Sequence, residues 1–232
     1  MLDIKRSQDR YHLETDWLSA YWHFSFDQYY DAANMAFGPL RVFNNDTIRP
    51  AKGFPMHPHR DMEIVTYVIR GELEHRDSTG GHGVIHAGEV QRMSAGSGIT
   101  HSEFNPSPKE PCELVQIWIL PEKKGVQPSY EQKQFTLRQR EGKLLAIAAP
   151  NGDPEPVFIG QDVTFYVSRV RPGDDIRHKF ESGRKGYLFV LDGKPQVNGQ
   201  ALEKGDSVKV SEEAELRFNA NEPSDVLLID LP

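Results

Sequence analysis

Two short pairs of residues could bind a metal ion. His57 and His59 flank Pro58, and Glu103 stands two positions after His101. In a β-strand, residues i and i+2 point to the same face, so each pair directs two donor groups to one side. Imidazole nitrogens and carboxylate oxygens bind transition metals at about 2 Å. Because proline cannot donate a ladder hydrogen bond, the first pair is expected at a strand start or on an edge strand.

The spacing around both pairs resembles the two motifs of the cupin superfamily. The first motif is matched by Gly53, His57, His59, Glu63 and Gly71. The second is matched by Gly83, Gly88, His101 and Asn105, with a longer insertion and with His86 where a proline usually stands.

A closer resemblance is to the pirin family. The segments HPHRDMEIVTYVIRGELEHRDSTG and MSAGSGITHSEFN resemble its signature blocks, while HFSFDQYYD and LRVFNND resemble its bacterial, quercetin 2,3-dioxygenase-like branch. The resemblance is strong over residues 1–120 and weaker beyond. It implies a bicupin with one metal in the N-terminal barrel, bound by His57, His59, His101 and Glu103.

The acidic ligand has two candidates. Ordinary cupins use the acid of the first motif, here Glu63, which lies an even number of residues from His59 and could share its face in a regular strand. Pirins use the acid two residues after the last histidine, and this resemblance favours Glu103. Glu63 is then expected to be a strand residue with a polar partner.

Three imidazoles and one carboxylate contain no thiolate, which excludes a cysteine-type structural zinc site. The resemblance implies Fe(II), and Zn, Mn, Ni, Co or Cu also suit these donors. The implied activity is a dioxygenase acting on a flavonol such as quercetin, or on a similar enolisable small molecule. Glu103 would be ligand and catalytic base, and dioxygen would open the heterocycle with loss of carbon monoxide.

A regulatory protein is the alternative, because some relatives are described as metal-containing co-regulators that act through a protein partner. The two functions predict different cavities. An apolar funnel wide enough for a three-ring ligand favours the enzyme, whereas a site sealed by side chains favours the regulator.

The pattern of short β-type segments predicts an all-β fold of two tandem jelly-roll cupin barrels. A weak internal repeat supports duplication, since IVTYVIRGELEH and HAGEV correspond to GYLFVLDGKPQVNG and EKGDSV.

We expect an N-terminal metal-binding barrel at 1–135 and a degenerate, metal-free barrel at 136–232. The polar stretch 121–143 is expected to connect them, and a helical turn is expected within 9–19. Eleven strands are predicted in all, at 40–44, 63–69, 83–86, 90–93, 114–120, 143–148, 163–170, 187–191, 207–210, 214–218 and 226–231.

The remaining histidines, the net charge and the single cysteine limit the roles and partners that the chain can have. His75 and His82 are candidates for supporting the ligands or lining a pocket, while His178 has no partner histidine in the second half. The net charge of −7 argues against direct nucleic-acid binding. The single cysteine, Cys112, cannot form an internal disulfide. Without a signal peptide or membrane-length apolar run, we expect a cytoplasmic monomer whose partners are a small-molecule substrate and dioxygen.

Overall fold

The chain folds almost entirely into β-strands. The structure, a computed structural model, describes residues 1–151 and 156–232. A 3-10 helix lies at Ser7–Asp9 and one short helix, α1, at Leu137–Arg140. The strands are β1 (Leu2–Lys5), β2 (Tyr11–Glu14), β3 (Leu18–Trp22), β4 (Leu40–Ile48), β5 (Gly53–His59), β6 (Glu63–Arg70), β7 (Glu72–Asp77), β8 (His82–His86), β9 (Glu89–Ser94), β10 (Ile99–Phe104), β11 (Cys112–Ile119), β12 (Ser129–Gln134), β13 (Leu145–Ala149), β14 (Val157–Phe158), β15 (Thr164–Val170), β16 (Ile176–Lys179), β17 (Lys185–Asp192), β18 (Pro195–Val197), β19 (Gln200–Ala201), β20 (Ser207–Val210), β21 (Glu215–Ala220) and β22 (Ser224–Leu231).

The backbone packs as two units. The N-terminal barrel comprises Tyr11–Gln134 and Val157–Gln161, and the C-terminal barrel comprises Met1–Arg10, Phe135–Pro156 and Asp162–Pro232. Strand β1 pairs with β20, which places the first ten residues in the C-terminal barrel, whereas residues 11–134 belong to the N-terminal one. The metal-binding and metal-free roles expected for 1–135 and 136–232 stay predictions.

Each barrel is built from two antiparallel sheets. In the N-terminal barrel the strand orders are β12-β9-β6-β11-β4-β3-β2 and β5-β10-β7-β8. In the C-terminal barrel they are β1-β20-β17-β22-β15-β13 and β16-β21-β18-β19. The order β9-β6-β11-β4-β3 corresponds strand by strand to β20-β17-β22-β15-β13, and the two four-stranded sheets correspond in the same way, as expected for tandem cupin barrels.

The internal repeat has a conformational counterpart. Gly71 and Gly193 close equivalent hairpins with φ of 79° and 81°. A positive φ is costly for residues with a side chain, so both copies require glycine at this turn. Aliphatic and aromatic side chains fill each barrel, with Leu73, Ile85 and Leu114 in the N-terminal one and Leu188, Leu216 and Phe218 in the C-terminal one.

All eleven predicted strands are present, but two expectations about the connecting segments are wrong. Apart from Asp9, which ends the 3-10 helix, the region 9–19 is not helical: β2 alternates half-buried and exposed residues, and Tyr11 stacks on Trp22 of β3 with ring centroids 5.2 Å apart. Within 121–143, polar β12 joins the N-terminal barrel by pairing with β9. Its backbone hydrogen bonds extend the sheet although its side chains are polar, so sheet pairing overrides local composition. No helix of the described residues is long and apolar enough to cross a membrane.

Candidate metal centre

Neighbouring strands bring the two predicted pairs together. Strands β5 and β10 are antiparallel, and His101 lies directly opposite His57 while Ile99 lies opposite His59. The ring centroids are 4.8 Å apart for His57 and His59, 4.5 Å for His57 and His101, and 4.9 Å for His59 and His101. One ring nitrogen from each histidine lies within 4.8 Å of the others, which is close enough for three imidazoles to bind one ion.

The local backbone of β5 explains how this strand presents its histidines. It is the edge strand of its sheet, as Pro58 predicts. A register shift opposite the segment from His101 to Glu103 inserts an extra residue into β5. The Nδ1 of His57 donates to the carbonyl oxygen of Pro55 at 2.8 Å, so Nε2 carries the free lone pair. At Gly53 a Cβ atom would overlap the backbone carbonyl oxygen of Glu103, so this close strand approach needs glycine.

A buried relay of side chains orients His101. The Asp77 carboxylate accepts a hydrogen bond from Nε2 of His75 at 2.9 Å, which leaves Nδ1 of His75 as an acceptor. Nδ1 of His101 and Nε2 of Gln91 each lie 3.4 Å from that atom, so both nitrogens can donate to it. Nε2 of His101 therefore carries the lone pair, and this buried atom has no partner among the described residues. His75 thus supports a predicted ligand, while His82 is exposed and contacts Glu74 instead.

Glu103 is held at one oxygen and free at the other. Its Oε2 accepts a hydrogen bond from Nε2 of Gln116 at 2.7 Å, and Oε1 of Gln116 accepts one from Nε1 of Trp118 at 3.2 Å. The buried Oε1 of Glu103 has no partner in the described part of the chain. Glu103 shares a second potential ligand group with His75 and His101, again within 4.8 Å. His101 therefore belongs to both groups.

Glu63 lies outside both ligand groups. A turn that contains Asp61, with φ of 49°, separates β5 from β6, and the two strands belong to different sheets. The even spacing from His59 therefore does not put Glu63 on the same face. Both Glu63 oxygens accept from Oγ of Ser94, at 2.6 and 2.8 Å. Burial raises the pKa of Glu63 against the lowering effect of that hydrogen bond.

Electrostatics keep two of the imidazoles neutral. Burial lowers the pKa of His59 to about 4 and that of His101 to about 3, and the neighbouring histidines add to both shifts. Burial works against ionisation of Asp77, but hydrogen bonds from Thr79, His75 and backbone amides lower its pKa. Neutral imidazoles beside an ionised carboxylate offer their lone pairs to a cation near pH 7.

A cavity of about 370 Å³ opens beside the histidine cluster. Its volume falls within the usual range of small-molecule sites, about 300–1,000 Å³. His57, His59 and Glu103 face it. The remaining wall is mostly aromatic and aliphatic, formed by Leu13, Trp17, Leu18, Trp22, Phe26, Phe54 and Trp118. Its polar wall consists of Thr15, Asp27, Asn44, Asp46 and Gln116.

The sequence reasoning missed Asn44, Asp46, Gln116 and Asp77. A signal for the first three exists, because polar residues at alternate positions of the apolar strands β4 and β11 must face the barrel interior. Burial raises the pKa of Asp46 to about 8, and the charge of Glu103 adds to this shift.

The donor set fits a divalent transition metal. Two buried atoms, Nε2 of His101 and Oε1 of Glu103, lack partners among the described residues, although buried polar atoms in proteins are almost always paired. Imidazole nitrogens with one carboxylate oxygen match the donors that Fe, Ni, Mn, Co, Cu and Zn accept. The assignment of His57, His59, His101 and Glu103 as ligands stays a prediction.

The C-terminal barrel differs at the equivalent positions. In β16, His178 lies opposite Leu216, whereas in β5 His57 lies opposite His101. The aliphatic Leu216 cannot donate to a metal. His178 instead has Nε2 2.7 Å from Oδ2 of Asp230, while Arg184 pairs with Oδ1 of the same carboxylate.

Comparisons with known proteins agree with this architecture. Residues 4–119 match the family described as Pirin, and residues 146–231 match the quercetinase C-terminal cupin domain. Quercetin 2,3-dioxygenase of Escherichia coli strain K12 is 39% identical over 232 residues, which are 100% of this chain and 99% of that protein. A putative quercetin 2,3-dioxygenase of Pseudomonas aeruginosa is 41% identical, with 95% of each chain covered.

A solved structure matches equally well. The bacterial pirin YhhW from Escherichia coli, in complex with nickel(II), has a TM-score of 0.94 at 38% identity, covering 100% of this chain and 99% of that one. Two cupin barrels in tandem, with a histidine cluster in the N-terminal one, define a bicupin. The chain belongs to the pirin family.

Proposed function

We propose that this protein is a metal-dependent dioxygenase that acts on a flavonol such as quercetin, or on a similar enolisable small molecule, with Fe(II) as its working ion. The observation that carries the proposal is the histidine cluster with Glu103 at the wall of an aromatic cavity. The relatives named quercetin 2,3-dioxygenase support it over the full chain.

In this proposal His57, His59, His101 and Glu103 hold the ion. When bound, it supplies Lewis acidity toward a substrate hydroxyl and a redox centre for dioxygen chemistry. Hydrogen bonds from Nδ1 of His57 to Pro55 and from Nδ1 of His101 toward His75 orient both rings before the ion arrives.

Glu103 is also the proposed base. Gln116 holds Oε2 of Glu103, and this positioned carboxylate would accept the proton of a substrate hydroxyl. The aromatic wall offers stacking surfaces to a planar substrate and excludes water from it. The open cavity supports an enzyme over the regulatory alternative, for which a sealed site was expected.

The test combines metal loading with oxygen consumption. Protein reconstituted anaerobically with Fe(II) is assayed with quercetin and a panel of enolisable compounds, and metal content is measured by mass spectrometry. We expect oxygen uptake with one ion per chain, and loss of both in His101→Ala. The matched control His82→Ala changes an exposed histidine and should keep both.

A second pair of variants separates the two acids. Glu103→Gln should abolish turnover, whereas Glu63→Gln should retain it, because Glu63 contacts Ser94 rather than the histidine cluster. Metal and turnover retained in His101→Ala would refute the site. A fully loaded protein that consumes no oxygen with any compound would refute the dioxygenase and favour a partner-binding role.

A further inference from the structure

Two buried acceptor atoms in the cavity wall lack partners. Asn44 and Asp46 are 3% and 5% exposed, and the Oδ1 atom of each has no hydrogen-bond partner among the described residues. An unpaired buried polar atom costs about 1–3 kcal/mol, so such atoms are uncommon unless something binds to them. Two such unpaired acceptor atoms on one strand indicate a site for a ligand.

Their position on β4 makes both side chains face the same space. As residues i and i+2 of one strand they point to one face, about 7 Å apart along the backbone. Both line the cavity that contains His57, His59 and Glu103. Asn44 lies opposite Gln116, the residue that donates to Glu103. The two acceptors and the histidine cluster therefore border one cavity, from different sheets of the N-terminal barrel.

Two further unpaired atoms provide a contrast. Oγ1 of Thr66 and Oε1 of Gln91 are also buried without a described partner, but neither residue lines the cavity. Lack of a partner alone therefore does not define the site. Asn44 and Asp46 combine an unpartnered oxygen with a place in the cavity wall.

The chemistry of the wall selects the ligand class. Asp27, Asp46 and Glu103 are among the lining residues, and no lysine or arginine is, so apart from the proposed metal ion an anionic substrate would meet no cationic group in this wall. A neutral aromatic compound with several hydroxyl groups would stack on the tryptophan and phenylalanine side chains and satisfy the acceptors.

We propose that Asn44 and Asp46 bind a second hydroxyl group of a neutral polyhydroxylated aromatic substrate, distinct from the hydroxyl that reacts beside Glu103. This inference rests on the proposed function for the identity of the reacting group. It assigns the two β4 residues to recognition, so that a substrate with only the reacting hydroxyl leaves both acceptors unpaired and binds less tightly.

Anaerobic binding of two flavonols tests the assignment without turnover. Quercetin carries several hydroxyl groups, whereas 3-hydroxyflavone keeps only the one that reacts. Dissociation constants for both are measured on metal-loaded protein by absorbance titration. We expect the wild type to prefer quercetin, and Asn44→Leu to reduce that preference about tenfold. Asp46→Asn retains an acceptor oxygen and should keep most of the preference.

Thr66→Val is the matched control, since Thr66 lies in the same cross-strand row, opposite Gln116, but its unpaired buried hydroxyl does not line the cavity. Both Asn44→Leu and Thr66→Val should keep or raise the melting temperature, because neither removes a hydrogen bond at the changed oxygen. Only Asn44→Leu should change the flavonol preference. An equal preference for quercetin over 3-hydroxyflavone in the wild type, Asn44→Leu and Thr66→Val overturns the proposal. Failure of both flavonols to bind overturns it as well. Oxygen uptake, measured separately, decides the proposed function.

Discussion

Replacing Gln116 by leucine should weaken metal binding without touching a ligand. The change removes the 2.7 Å hydrogen bond from Nε2 to Oε2 of Glu103, a carboxylate that is only 2% exposed. A hydrogen bond to a charged group contributes about 1.5–3 kcal/mol. Loss of groups that support metal ligands typically costs about tenfold to a hundredfold in affinity. These ranges agree, so we expect Gln116→Leu to raise the metal dissociation constant by about tenfold to a hundredfold.

Competition with a chromophoric chelator measures that constant for Ni(II), which avoids oxidation during the titration. Gln132→Leu is the matched control, because Nε2 of Gln132 donates to Oε2 of Glu89 at the same distance, 2.7 Å, and Glu89 belongs to neither ligand group. The control should lose stability but keep its affinity. An unchanged dissociation constant in folded Gln116→Leu would refute the idea that Gln116 positions Glu103.

Three further predictions concern stability and reactivity. Burial raises the pKa of Cys112 to about 12, so native protein should resist iodoacetamide at pH 8. Because the unfolded thiol ionises near pH 9, this group's contribution to stability should fall above that pH in denaturation curves. Gly71→Ala should lower the melting temperature more than Gly80→Ala, since both have positive φ but only the first places Cβ 2.5 Å from a carbonyl oxygen. His178→Leu should cost about 1–3 kcal/mol by removing a partner of Asp230, yet metal content by mass spectrometry should not change.

Much of the architecture could be predicted because its signals are local. Apolar β-branched runs such as EIVTYVI correspond to β6, and the glycine turns at Gly71 and Gly193 reveal the repeat. The polar strand β12 and the N-terminal strand β1 could not be predicted in this way. Both take their place from backbone pairing with a distant strand, and local composition does not record that pairing.

For the candidate site, the i, i+2 spacing alone determined that His57 and His59 would share one face, and likewise His101 and Glu103. Tertiary structure decided how they converge, because the antiparallel register of β5 and β10 sets His57 opposite His101. It also separated Glu63 from the cluster by a turn and supplied Gln116, His75 and Asp77 from other strands as supporting partners. Side-chain periodicity is a property of one strand, whereas register and cross-strand partners depend on how several strands pack, and residue spacing carries no record of that packing.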